Sequence, residues 1–480
     1  MAENGLNIFQ RLTRRWEAVH PYNAAQVMRI SGSLDASRAT SVWGDALRSL
    51  GLGRVRVSDP DRFTHEPING ELARFPVLPL PADTSLEDHL TTELNRRFDN
   101  PDEPPFRPFL LQRENDFYFG VVYQHWIADS VSIRAVLQEW FTRAFDPSAL
   151  RGQPLQQPSR GYWNLFADRR TWRLDETLLG SFKWHMRHRR ARKVLTTGPG
   201  DYPVRVTLHR SPAGLIDHLL TAARTKQVKV QDVLLAAMAE ACDRFVPAQH
   251  RENRPDLAVG SIIDLRRHTG LDLTETFGLF LGFTNVVCRR QHLKNWDELL
   301  RSVASQNRGH KLSGPAQASL VWMVTALIAS RFIPDHKLYH FYRKELPMLG
   351  GLSNVNLNDS WAARYYPDPL REYIRVSPTG PLVPLVFSTT TLGPRLTFAL
   401  TCRQNLLAPE TASNMADAFA DRLHRVTATY AAAAAPSPSS AEPPPPDTSM
   451  TAHRTGHPVE LRRPIPIWPT PAEQFRLEQN

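Results

Sequence analysis

The chain has few cysteines and no segment typical of export. Its 480 residues include three cysteines, Cys242, Cys288 and Cys402, which are widely separated and form no CxxC pair. A disulfide framework and a cysteine zinc site are therefore not predicted. The first residues, MAENGLNIFQRLTRR, lack the apolar core of a signal peptide. Together with the scarcity of thiols, this indicates a cytoplasmic protein in a reducing compartment.

Long apolar runs are also missing. The longest uncharged segment, residues 312–330, contains Gly, Pro, Gln and several hydroxyl side chains. Its purely apolar part is too short to span a bilayer, and no transmembrane segment is predicted. We expect a buried helix in this segment, with a helix on a membrane surface as the alternative.

Motifs for metals and nucleotides are absent as well. His336 and His340 have the i, i+4 spacing of a helix, but no HExxH glutamate accompanies them, and 17 histidines make such a pair common by chance. The glycines near Gly51 lack the rest of a dinucleotide-binding or phosphate-binding loop. No metal and no permanently bound cofactor is predicted.

The charge balance is basic. Lys and Arg number 58 against 48 acidic residues, a net charge of +10, which favours anionic partners. Residues 182–193 combine several Lys and Arg with Trp184, a composition that suits a phosphate backbone or an acidic protein. Because no further basic motif supports it, we interpret this stretch as a solvated helix face or linker. Nucleic acid is not a predicted partner.

Length and patterning predict two packed halves. A chain of 480 residues exceeds what one hydrophobic core usually serves. Strand and helix patterns occur in both halves, so a mixed α/β fold is predicted. The predicted division is an N-terminal half at 1–180, a basic connection at 181–200, a C-terminal half at 201–430 and a tail at 431–480. The Pro/Ala-rich tail is predicted to be disordered or a docking segment.

One polar pair lies in an otherwise apolar stretch. Residues 117–125 are predicted to form a strand that runs into a tight loop before a helix from 132 to 145. The loop carries His125 and Asp129 in the sequence HWIADS. Buried polar groups are costly unless they are satisfied, and strand ends commonly present reacting groups. We interpret the pair as functional; two satisfied structural groups are the alternative.

HWIADS resembles the HxxxDG motif of the chloramphenicol acetyltransferase-like superfamily. That superfamily includes plant acyl-CoA acyltransferases, bacterial wax ester synthases and condensation domains of nonribosomal peptide synthesis. His125 and Asp129 match its two key positions, whereas Gln124 replaces the second histidine usual in condensation domains and Ser130 replaces the glycine. Later segments, including VGSIIDLRR and GLSNVNLND, are similar in order and spacing to condensation-like acyltransferases. The second of them, at 351–359, is predicted to be a loop.

The resemblance implies an architecture and a mechanism. It implies two chloramphenicol-acetyltransferase-like half-domains in a V-shaped pseudo-dimer, with a tunnel at their interface. His125 is then the general base, because a neutral imidazole near pH 7 can take the proton of a hydroxyl or amine that attacks a thioester. Asp129 has a structural role, paired with an arginine. Candidates for that arginine are Arg266, Arg54 and Arg56.

Other polar residues in matching segments are candidates for the lining of the site. An attacked thioester carbonyl needs a donor that stabilises the oxyanion, and the sequence does not rank the groups that could supply it. The candidates are Gln124, Ser130, Asn285, Ser353 and Asn354.

The predicted function is a stand-alone condensation-like acyltransferase in specialised metabolite biosynthesis. The donor is a thioester of CoA, or of phosphopantetheine on an acyl or peptidyl carrier protein supplied in trans. The acceptor is a small-molecule alcohol or amine, and the product is an ester or an amide. One alternative is a wax ester or diacylglycerol-type acyl-CoA acyltransferase. The other is a catalytically idle condensation fold that serves as an interaction module. Absence of the DFGWG motif argues against the plant enzymes.

Overall fold

The structure is a computed structural model. It describes residues 4–59, 62–67, 76–157, 186–188, 190–194, 202–247, 253–268, 272–312, 315–345 and 347–434. Most of the predicted basic connection and the tail beyond residue 434 lie outside these ranges.

Helices of the described residues are numbered in chain order. They are α1 (Ile8–Val19), α2 (Ala36–Ser49), α3 (Leu86–Asn95), α4 (Ser130–Phe145), α5 (Leu215–Thr225), α6 (Val230–Phe245), α7 (Arg290–Leu293), α8 (Trp296–Leu312), α9 (Pro315–Ser330), α10 (Leu338–Glu345) and α11 (Pro409–Ala434).

Strands are numbered in the same way. They are β1 (Asn4–Gly5), β2 (Asn23–Ser31), β3 (Gly53–Asp59), β4 (Arg62–Pro67), β5 (Leu78–Leu80), β6 (Phe106–Gln112), β7 (Asp116–Gln124), β8 (Val204–Arg210), β9 (Leu257–Asp264), β10 (Leu281–Cys288), β11 (Gly350–Asn356), β12 (Leu370–Val376), β13 (Leu385–Leu392) and β14 (Arg395–Arg403).

Side-chain caps fix where the helices of the first half begin. Asn7, Asp35, Ser85 and Asp129 each accept backbone N–H groups from the first turn of α1, α2, α3 and α4. These N–H groups have no partner within the helix, so a short polar side chain at this position stabilises the helix start. The helix predicted from residue 132 therefore begins two residues earlier, at Ser130, directly after its cap Asp129.

A five-stranded mixed sheet forms the first half, in the order β12-β2-β7-β6-β5. Side chains alternate between its two faces, as they do in any strand. One face packs against α2 and α4, where Trp43, Phe119 and Trp140 are buried. The other face contacts α3 and also Val204 and Val206 of β8, which belongs to the second sheet. The two halves therefore share part of their cores.

A six-stranded mixed sheet forms the second half, in the order β10-β9-β11-β13-β14-β8. Helices α5, α6 and α11 cover one of its faces, and apolar side chains from these helices and from the strands form one continuous core. A further sheet of β1, β4 and β3 lies in the N-terminal half. The predicted mixed α/β fold is confirmed.

One strand passes from the second half into the first. β12 follows β11 of the second sheet, yet it pairs antiparallel with β2, from Leu370 opposite Ile30 to Val376 opposite Ala25. The chain then returns to the second sheet through β13. Side chains of β12 are thereby placed where the two halves meet.

The segment 351–359 is not a loop, and that prediction is wrong. Most of it belongs to β11, which pairs in parallel with both β9 and β13. Its Gly, Asn and Ser residues have low strand propensity, but two neighbouring strands satisfy the backbone hydrogen bonds and override it.

The apolar segment 312–330 is helical as predicted at residues 315–330, which are α9, although this helix is buried along only part of its surface. Met323 and Ala326 of α9 are buried. Ile328 is 53% exposed, and Phe332 just beyond the helix is 83% exposed. No helix among the described residues is long and apolar enough to cross a membrane.

Candidate functional site

The strand–loop–helix unit around HWIADS positions both key residues. β7 ends at Gln124, and the backbone N–H of His125 then donates to the carbonyl of Tyr22 at 3.0 Å. At the other end of the loop, Asp129 caps α4, because its Oδ1 accepts from the N–H groups of Val131 and Ser132, both at 3.0 Å. The loop is therefore held by a backbone hydrogen bond at one end and by the Asp129 side chain at the other.

Asp129 is fully buried and paired with Arg266. Its Oδ2 accepts from Arg266 Nη1 at 2.5 Å and from the N–H of Phe280 at 2.8 Å. Burial alone would raise the pKa of Asp129, but the adjacent guanidinium and the backbone N–H groups hold it below its ordinary value. Both oxygens are thus occupied, and Arg266 also donates to Ser132 Oγ at 3.0 Å.

The other two arginines proposed as partners of Asp129 lie elsewhere. Arg54 and Arg56 belong to β3, and both donate to Asp102, at 3.3 and 2.8 Å. Arg56 also donates to Glu66 at 3.1 Å. Of the three candidates, the structure places only Arg266 on Asp129.

The tautomer of His125 follows from its one short contact. Nδ1 lies 2.9 Å from the carbonyl oxygen of Ala128. A carbonyl oxygen only accepts, so Nδ1 carries the proton and Nε2 of the neutral ring has an unshared electron pair. The ring stacks on Tyr22, with centroids 5.5 Å apart. Burial lowers the pKa of His125 below its ordinary value of 6.5, so the imidazole is neutral at pH 7.

His125 lines a cavity of about 1190 Å³, counting the part that opens to solvent. The two halves both contribute to its wall, through β7, α4 and β12 of the first sheet and through β9, β10 and β11 of the second. Much of the wall is apolar, including Phe9, Trp16, Leu281 and Phe283. Concave, largely apolar sites with a few polar groups commonly hold small organic molecules.

Four of the five predicted lining candidates share this cavity with His125. They are Ser130, Asn285, Ser353 and Asn354. Gln124 is not among the described lining residues, since its side chain donates to Glu17 Oε1 at 3.1 Å. Position 124, where the resemblance expects a second histidine, therefore lies outside the described cavity wall.

Sequence reasoning missed two arginines of the cavity wall, Arg134 and Arg375. Both donate to Ser130 Oγ, at 3.2 and 2.8 Å. Arg134 lies four positions after Ser130 on α4, but the predicted helix began at 132 and so did not include the i, i+4 pair. Arg375 lies on β12, and its place in the site depends on the passage of that strand into the first sheet.

The cysteines are poor candidates for a nucleophile. All three are buried with unpaired thiols. Burial raises the pKa of Cys288 and of Cys402 to about 12, and it also raises that of Cys242. A thiolate, and not a thiol, attacks a carbonyl. No group of three or more His, Cys, Asp or Glu side chains suited to a metal occurs in the described part of the chain.

A pH profile of activity should report the lowered pKa of His125. If its imidazole is the base, kcat/KM is expected to fall only when the ring becomes protonated, with a midpoint below pH 6.5. The measurement is kcat/KM for acyl transfer across the acid range. A midpoint above 6.5 would assign the essential base to a different group.

Comparisons with known proteins identify the fold. No family model and no curated protein matches the chain in sequence. Among solved structures, a trichothecene 15-O-acetyltransferase from Fusarium sporotrichioides is 11% identical, with a TM-score of 0.64. The similarity covers 88% of this chain and 94% of that protein.

Two further structures are similar over most of the chain. The cyclization-docking bidomain of the EpoB nonribosomal peptide synthetase from Sorangium cellulosum is 13% identical, with a TM-score of 0.60. The similarity covers 89% of this chain and 84% of the bidomain. Polyketide synthase associated protein 5 from Mycobacterium tuberculosis is 14% identical, with a TM-score of 0.58. The similarity covers 89% of this chain and 100% of that protein. The predicted condensation-domain-like, chloramphenicol-acetyltransferase-like fold is confirmed.

Proposed function

We propose that this chain is an acyltransferase that moves an acyl group from a thioester to the hydroxyl or amine of a small molecule, with His125 as general base. The observation that carries the proposal is the neutral, Nδ1-protonated imidazole of His125 at the wall of a cavity between two sheets. The fold supports acyl transfer in general, because it is shared with an acetyltransferase and with a synthetase domain.

The geometry suggests a direct transfer without an acyl-enzyme. Nε2 of His125 takes the proton of the acceptor while the acceptor oxygen or nitrogen bonds to the thioester carbon. The tetrahedral intermediate then collapses, the carbon–sulfur bond breaks, and the imidazolium returns the proton to the leaving thiolate. Because the pKa of His125 is lowered, its imidazolium is a good acid for this last step. Holding donor and acceptor together in one cavity supplies much of the remaining acceleration.

Asp129 does not take part in proton transfer in this mechanism. Both of its oxygens accept hydrogen bonds from Arg266 and from backbone N–H groups. It is a positioning residue, which holds the loop that carries His125 against the start of α4. The buried thiols are likewise not required.

The donor in this proposal is an acyl-CoA or an acyl group on the phosphopantetheine of a carrier protein supplied in trans, and the setting is specialised metabolism in the cytoplasm. Both donors are anionic, which suits a net charge of +10. Neither is held permanently; each arrives as part of the substrate.

A second candidate is a wax ester or diacylglycerol-type acyltransferase that works at a membrane surface. The observation that favours it is the exposure of Ile328 at 53%, near the end of α9, and of Phe332 at 83%, two residues beyond that helix. Clustered exposed apolar side chains are typical of protein or membrane contacts.

One experiment separates these functions. The protein is incubated with acyl-CoA and acyl-carrier panels and with mixtures of alcohols and amines, and the products are identified by mass spectrometry. We expect an ester or amide product that is lost in His125→Ala. Membrane flotation together with turnover confined to long-chain acyl-CoA would favour the second candidate. Equal product from wild type and His125→Ala would refute the proposed base, and no product in any arm would favour an interaction module.

A further inference from the structure

Two guanidinium groups converge on one hydroxyl in the cavity that holds His125. Arg134, on α4, donates Nη1 to Ser130 Oγ at 3.2 Å, and Arg375, on β12, donates Nε to the same oxygen at 2.8 Å. All three residues line the cavity. Ser130 is the first residue of α4 and follows the base by five positions. Two positive charges are therefore fixed close together and close to the site of chemistry.

Neither arginine makes an ion pair with a carboxylate of the described residues. Asp129 is occupied by Arg266 at 2.5 Å. Asp264 also lines the cavity, but it accepts from the backbone N–H of Arg266 at 3.0 Å and from its Nη1 at 3.5 Å. The two charges are thus balanced only at a distance, by carboxylates that already have a partner.

Arg375 lies on a strand of the first sheet, and its side chain donates to neutral acceptors on the second sheet. Its Nη2 donates to Ser353 Oγ at 2.6 Å, and its Nη1 donates to the carbonyls of Ser353 and Thr389 at 3.4 and 3.2 Å. It is 4% exposed, and burial, followed by the charge of Arg134, lowers its pKa to about 10. A buried cation without an anion is costly, so an anion that enters this part of the cavity is strongly favoured.

The guanidinium of Arg134 has N–H donors that can bind a ligand. Among the residues that the structure describes, only Ser130 accepts from one of the five N–H groups of this guanidinium. Arginine presents these donors as a planar fork that fits both oxygens of a carboxylate. The apolar side chains across the cavity, such as Phe9 and Phe283, suit an organic body attached to that carboxylate.

We infer that Arg134 and Arg375 form an anion subsite that binds a carboxylate of the acceptor, so that the acceptor is a hydroxy acid or an amino acid. This inference rests on the proposed acyl transfer. The carboxylate lies on the guanidinium pair and leaves the hydroxyl or amine of the same molecule directed at Nε2 of His125.

Binding is measured by isothermal titration calorimetry with mandelate and phenyllactate, each beside its neutral amide, so that no turnover is needed. We expect each hydroxy acid to bind wild type about tenfold or more tightly than its amide, because hydrogen bonds to charged groups are the strong ones. Arg134→Gln should abolish this difference and leave the affinity for the amides unchanged. Arg395→Gln, at an exposed arginine on β14, is the matched control and should behave like wild type.

Equal binding of acids and amides to wild type would overturn the inference, and this comparison needs no variant to fold. Equal losses of hydroxy-acid affinity in Arg134→Gln and Arg395→Gln would also overturn it. They would indicate that the acids respond to the overall positive charge of the protein and not to a specific subsite. A preference for succinyl-CoA over butyryl-CoA that depends on Arg134 would place the carboxylate on the acyl group instead. Binding of inorganic phosphate that depends on Arg134, without binding of the hydroxy acids, would equally refute the acceptor assignment.

The two proposals fail in distinguishable ways. If the acids bind through Arg134 but no donor and acceptor react, the acyl transfer fails and the subsite stands. If neutral alcohols react as fast as hydroxy acids in a reaction that depends on His125, the subsite fails and the acyl transfer stands.

Discussion

Replacement of His125 by alanine is expected to lower kcat for acyl transfer by about 10²–10⁴-fold, the range that a positioned general base contributes. The carbonyl of Ala128 holds the proton on Nδ1, so the substitution removes the electron pair of Nε2 that accepts the proton of the acceptor. Substrate binding should change little, because the arginines and the apolar wall of the cavity are retained. The measurement is kcat and KM for the acceptor and donor identified in the product screen.

The fold should survive this change. The ring contributes one hydrogen bond of about 1 kcal/mol and a stacking contact with Tyr22, a modest part of the stability of a domain. Circular dichroism and thermal unfolding check this. The matched control is His89→Ala on α3: burial lowers the pKa of His89 to about 4, but the side chain contacts Phe109 instead of lining the described cavity. Equal losses of kcat in both variants would exclude the specific role of His125.

Asp129→Ala is expected to lower the free energy of unfolding by about 3–5 kcal/mol, as is usual when one partner of a buried ion pair is removed. The substitution leaves the charge of Arg266 buried beside an empty space and deprives Val131 and Ser132 of their cap. Turnover should fall as well, because the loop that carries His125 loses its anchor. Urea unfolding followed by fluorescence measures the change in stability.

Two variants separate the ion pair from other effects. Asp129→Ala combined with Arg266→Met removes both partners and should be less destabilised than the sum of the two single variants, because neither partner is left buried without the other. Asp102→Ala breaks contacts of Asp102, which is 56% exposed, with Arg54 and Arg56, and it should cost less than about 1 kcal/mol. An Asp129→Ala protein that is fully stable but inactive would contradict a positioning role and indicate a direct one.

Local patterning predicted the strand, loop and helix that carry the site. The apolar run before His125 and the helical spacing after it correspond to β7 and α4, because both elements follow from contacts between residues a few positions apart. The same approach failed for 351–359. Its composition is typical of a loop, but its conformation as β11 is decided by β9 and β13, which come from other parts of the chain.

By itself the sequence determined the mixed α/β class, the position of the imidazole and carboxylate at the end of a strand, and the residue types available for chemistry. Only the tertiary structure decided that Arg266 pairs with Asp129 across 137 residues of chain, and that Arg375 reaches Ser130 across 245. It also decided which nitrogen of His125 carries the proton. The physical reason is that periodicity and capping record interactions within a strand, a turn or a helix, whereas charge pairing and burial depend on which distant segments the sheets bring into contact.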